Sequence, residues 1–171
     1  MLNNLLIYRL IVLNVCVVAV LIWATTKGYV QEVIMGDTTL ITSIIIGLFI
    51  LMMASLFVRA YKVCKALNDT KNGKPVSFDH NKFITKTEHL DKGPAWLAEL
   101  GLIGTVIGFS VAVYLSLDAD SLQGADQVKS TINQLLMGIR IALYTTVSGA
   151  ITGLWLACNN QILKTAMNVM I

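Results

Sequence analysis

Four stretches of the chain are each long and apolar enough to cross a lipid bilayer, and nothing else in the sequence bounds the fold so tightly: 5–24, 40–58, 97–117 and 141–158. A helix needs about 20 apolar residues to span a hydrocarbon core about 30 Å thick. None of the four runs alternates apolar with polar residues as a half-buried strand would. The expected fold class is therefore all-α, a polytopic membrane protein with four transmembrane helices. Composition agrees, since 56% of the 171 residues are hydrophobic and 13% are charged, against about 25% charged in ordinary soluble domains. The net charge of +3 is too small to mark a nucleic-acid binder, and none is expected. Cys16, Cys64 and Cys158 lie far apart with no C-x-x-C pair; Cys16 and Cys158, in apolar runs, read as small buried hydrophobes, and Cys64, among lysines, reads as reduced.

Charge in the connecting segments sets the expected orientation. Residues 59–96 hold eight basic side chains, whereas 25–37 holds only Lys27 and 118–134 only Lys129. Lys and Arg accumulate on the cytoplasmic side, which places both termini and the central segment inside. The first apolar run is interrupted by Arg9 and Asn14, shows no small-residue cleavage site, and reads as a retained helix. Residues 1–60 are expected to form two peripheral, lipid-facing helices, 61–95 a short basic cytoplasmic loop too small for a second domain, and 96–171 the core pair of helices. Pro94 is expected to break the chain before the third helix, with Trp96 as an interfacial anchor.

The third and fourth runs carry the unusual residues. "LGLIGTVIGFSVAV", residues 100–113, places Gly101, Gly104 and Gly108 in a membrane helix, although glycine is about 1 kcal/mol worse than alanine there. Gly101, Thr105, Gly108 and Ala112 recur at i, i+4, i+7 and i+11, and so do Ala142, Thr146, Gly149 and Gly153. Each set lies on one helix face, and small residues let membrane helices approach closely. The threonines admit two readings. Their hydroxyls can return to the i−4 carbonyl and do nothing more, or they can line a narrow polar path. Thr105 lies about 12 Å from Leu97 and Thr146 about 16 Å from Ala157 at 1.5 Å per residue, which sets both near mid-depth.

What is missing also informs. The central turns of the last three runs hold no Asp, Glu, His or Lys, and no nucleophile motif, phosphate loop or carboxylate pair appears, so no enzyme activity is expected. His80 and His89 have no metal-ligand companions, and no metal site or cofactor is assigned. Glu99 stands near the inner boundary. Arg140 stands near the outer one, where it is expected to hold an outer rim by pairing with lipid phosphate or with Asp126 of a neighbouring copy.

"LGLIGTVIG" resembles the L-G-L-L-G-T-V-x-G motif of the MotA/TolQ/ExbB family of ion-channel and motor subunits, and "GIRIALYTTVSGAITGL", residues 138–154, resembles that family's G-I-x-x-A-L-x-x-T-x-x-G segment. The resemblance implies a bacterial inner-membrane protein whose five copies ring two copies of an ExbD/TolR/MotB-like partner, which has one transmembrane helix and an essential aspartate. It implies that the last two helices line the pore, that Thr105 and Thr146 face that aspartate, and that protons or sodium ions are transported with no other cofactor. The sequence departs from the pattern in having Ile141 where ExbB and TolQ have Glu and Trp155 where the family has Pro. The expected function is the ring subunit of an ion-driven motor or energy transducer. The alternative is a structural or scaffolding four-helix membrane protein that conducts nothing.

Overall fold

The structure, a computed structural model, describes residues 2–36, 40–71, 80–117 and 125–168. Five helices follow one another: α1 (Leu2–Thr26), α2 (Tyr29–Gly36), α3 (Ile41–Lys71), α4 (His80–Leu117) and α5 (Ala125–Asn168). Among the described residues there is no strand. Four helices contain spans long and apolar enough to cross a membrane: Leu6–Thr26, Ile41–Ala66, Glu88–Tyr114 and Val128–Met167. Their outward-facing side chains, such as Val15, Leu51, Val106 and Leu154, are apolar and exposed, which suits a hydrocarbon surround. The chain has the build of a polytopic membrane protein. The short α2, where a plain connection was expected, follows Gly28, whose φ of +83° lies in the left-handed region that glycine tolerates.

The long helices outrun the bilayer. The 44 residues of α5 reach about 66 Å and the 38 of α4 about 57 Å at 1.5 Å per residue, against a core of about 30 Å. Segment 61–95, expected to be a loop, is helical through Lys71 and again from His80. Its apolar positions are packed, with Val63 of α3, Leu90 of α4 and Leu163 of α5 each fully buried in one cluster. The hydrophobic core therefore continues into a three-helix extension on the side that carries the basic residues. Hydropathy over a membrane-length window detects lipid contact; a helix that goes on past the lipid with one buried stripe escapes it.

Pro94 does not break the chain; it lies inside α4. Proline has no N–H, so the Leu90 carbonyl four residues back loses its helical donor. Asn160 of α5 replaces it, donating from Nδ2 to the Leu90 oxygen at 3.1 Å and to Asp91 Oδ1 at 2.8 Å. Lys164 completes the cluster, its Nζ 3.0 Å from the same Asp91 oxygen. Asn160→Leu should strip the buried Leu90 carbonyl of its side-chain donor, destabilising the fold by about 1–3 kcal/mol. Pro94→Ala restores a backbone donor, so the Asn160→Leu loss, measured by thermal unfolding in detergent, should shrink markedly in the double variant. Equal losses in both backgrounds would separate Asn160 from the proline.

The rest of the bundle assembles around α5. α3 packs along α4 and α5, with Ile45, Leu56, Leu97 and Leu156 fully buried between them. Phe49 of α3 meets the Trp155 ring at 4.9 Å between centroids. α1 is the most exposed long helix and is held by Leu6, Leu10 and a polar cluster. In that cluster Asn14 Nδ2 donates to Asn159 Oδ1 at 2.7 Å, Trp155 Nε1 donates to Asn14 Oδ1 at 2.8 Å, and Asn159 Nδ2 donates to the Trp155 carbonyl at 2.9 Å. Such bonds between membrane helices average only about 0.6 kcal/mol, so the cluster fixes where α1 docks more than how stably the bundle folds.

Candidate functional site

The seam between α4 and α5 is built from absent side chains. A Cβ on Gly149 would stand 2.6 Å from the Leu97 oxygen and 2.9 Å from the Gly101 Cα. One on Gly101 would stand 3.0 Å from the Thr145 oxygen, one on Gly108 3.1 Å from the Ala142 Cα, and one on Gly153 2.8 Å from the Pro94 oxygen. Gly104 backs onto Thr145, whose Cβ and Oγ1 are both 2.7 Å from the place its own Cβ would take. Ala112, 1% exposed, lies against Gly138, which the small-residue pattern had not included. Thus Gly101 of α4 meets Gly149 of α5 and Gly108 meets Ala142, whereas Gly104 faces Thr145, Ala112 faces Gly138, and Gly153 faces Pro94. In most of these contacts backbone lies on backbone.

Thr105 and Thr146 come together on this seam. Their hydroxyls are hydrogen-bonded to each other, and both side chains are half-buried. Thr105 Oγ1 also lies 3.0 Å from the Gly101 oxygen and 3.3 Å from the Ala142 oxygen. Thr146 Oγ1 lies 3.3 Å from the Ala142 oxygen and 3.4 Å from that of Gly101. Four oxygens converge, and only the two hydroxyls bring side-chain protons. The group is neutral and rich in acceptors. Thr145 differs: it is fully buried, Ile41 of α3 closes over the same spot on Gly104, and its hydroxyl donates to the Ala142 carbonyl at 2.9 Å.

Arg140 stands apart from the pair and from the seam. Its Nη2 lies 3.0 Å from Glu32 Oε2 of α2, its Nε donates to the Tyr144 hydroxyl at 2.7 Å, and its guanidinium sits 5.3 Å from the Tyr144 ring centre. The partner within the chain is therefore Glu32, which the sequence did not single out; the side chain of Asp126 lies outside the described residues. Arg140→Gln should release α2, raising amide hydrogen exchange over 29–36 several-fold, and Glu32→Gln should do the same. Unchanged exchange in both would make the ion pair idle.

Other polar residues that reading the sequence missed are the Asn14–Trp155–Asn159 cluster and Asn160. Their signal was present, since amides inside apolar runs usually face the interior of a bundle. His89 turns toward α3, with Nε2 3.2 Å from Ser55 Oγ. No protein-family model matches the chain, and no curated protein or solved structure compared with it is similar.

Proposed function

We propose that the chain is the ring subunit of an ion-driven motor or energy-transducing channel. In this reading five copies surround a single-helix partner, present in two copies, that brings an aspartate to the Thr105–Thr146 pair. The assembly sits in the bacterial inner membrane with both termini cytoplasmic. The observation that carries the reading is the convergence of two half-buried hydroxyls at mid-depth, on a seam with no charge of its own. A buried carboxylate is tolerable only when protonated or accompanied by a cation and hydrogen-bond donors. Four clustered oxygens with two protons offer lone pairs to a protonated carboxyl or a sodium ion, and the hydroxyls can turn to donate once the ion has left. The two motifs on α4 and α5 that resemble the MotA/TolQ/ExbB family support the same assignment.

A second reading has its own support. The hydroxyls also reach the carbonyls of Gly101 and Ala142, so they can be satisfied within the chain, as in a scaffolding protein without ion flux. Purification from native membranes, with the complex weighed intact, separates the two. The ring reading expects five copies bound to a single-helix chain with an aspartate inside its membrane segment. A chain that purifies alone and conducts neither protons nor sodium would overturn it.

A further inference from the structure

α1 and α5 do not close on each other along their whole length. Between them, toward the start of α1, runs an open groove of about 470 Å³. Its wall is apolar, formed by Val12, Leu13, Cys16 and Val17 of α1 with Ile162 of α5 opposite. One end carries Tyr8 and Arg9. Among the described residues no carboxylate pairs with Arg9, although Lys92, Arg140 and Lys164 each pair with one. Arg9 lies 17 residues before the end of α1, about 26 Å along the axis, and so falls just inside one face of a hydrocarbon core about 30 Å thick.

We infer that this groove binds one anionic phospholipid from the leaflet that holds the N-terminus, its phosphate on Arg9 and an acyl chain laid along Val12, Leu13, Cys16 and Val17. Charge and shape agree on the occupant. A guanidinium binds phosphate oxygens through paired donors, and at this depth an unpaired cation is costly unless an anion or the headgroup region meets it. The wall beyond Arg9 offers no side-chain hydrogen bond other than the weak thiol of Cys16, which suits a hydrocarbon chain and not a peptide. The groove runs along α1 from the membrane face inward, parallel to the chains of the leaflet. Tyr8, amphipathic and 66% exposed, stands at the headgroup end. The inference does not depend on ion flow or on the number of copies in the assembly.

The full chain, purified in mild detergent, is incubated with dioleoyl phosphatidylglycerol or dioleoyl phosphatidylcholine and weighed by native mass spectrometry. One phosphatidylglycerol per chain is expected, retained at least tenfold better than phosphatidylcholine. Arg9→Gln should lower phosphatidylglycerol retention to the phosphatidylcholine level. Leu13→Trp, which fills the groove and leaves the charge, should abolish both. Equal retention of the two lipids by the parent, or full retention by Arg9→Gln, would overturn the inference. Displacement of the lipid by inorganic phosphate at the same concentration would overturn it too, by reducing the site to a simple anion contact. With Cys64→Ser and Cys158→Ser in place, a bismaleimide should leave Cys16 uncoupled in the membrane. A covalent Cys16 dimer would mean that a second copy covers the groove instead.

Discussion

Leucine at Gly149 should prevent α4 and α5 from pairing, and with them the bundle from forming. Overpacking a core that can shift costs about 1–3 kcal/mol. Here the obstacles are the Leu97 carbonyl at 2.6 Å and the Gly101 Cα at 2.9 Å, which are backbone and cannot rotate away. Relief requires the helices to separate, which would also part Gly101 from Thr145 and Gly153 from Pro94. The expected result is loss of monodisperse protein in mild detergent, beyond the upper end of that range. Gly47→Leu supplies the comparison, because nothing lies within 4 Å of a Cβ there, and it should be nearly silent. If the two variants purify and melt alike, close backbone approach is not what holds the pair together.

On the proposed ion-channel reading, Thr105→Val and Thr146→Val should each leave the fold standing and abolish ion flux. Valine keeps the branched shape, and a lost interhelical hydrogen bond in a membrane averages only about 0.6 kcal/mol. What disappears in each variant is one of the four converging oxygens and one of the two side-chain protons. Flux would be followed with pH- and sodium-sensitive dyes in vesicles that hold the purified complex. Thr145→Val should behave differently, since that hydroxyl is sealed from any second chain and serves the Ala142 carbonyl. A modest fall in melting temperature with flux retained is expected there. If Thr105→Val and Thr146→Val both conduct like the parent, the hydroxyls are packing groups and the scaffolding reading stands.

Much of this was legible because lipid imposes simple rules. Bilayer thickness fixes the length of an apolar run, so the four spans could be counted. The i, i+4, i+7, i+11 spacing fixes a face, so the α4–α5 seam could be drawn before any contact was known. The common depth of Thr105 and Thr146 was expected from helical rise in antiparallel helices, whereas their direct hydrogen bond was not. The features that escaped depend on partners far along the chain. Asn160 rescues a carbonyl 70 residues away, Arg140 finds Glu32 across 108, and Asn14 meets Asn159 across 145. No local pattern marks such pairs. Pro94 shows the consequence, for a proline ordinarily stops a helix and here a distant amide lets it pass.

Because α4 and α5 run unbroken well past the hydrocarbon, they form a stiff mast rather than a set of jointed segments. Sliding α4 by about one turn would bring Leu97 or Thr105 to the place where Gly101 now lies on Gly149, and the seam has no room for the added side chain, so shear is opposed. Bending at Pro94 is braced by Asn160. The motion left to them is tilting or turning as one body about the rest of the bundle. A tilt begun at mid-membrane would therefore be carried undiminished to the packed extension around Leu90 and Leu163.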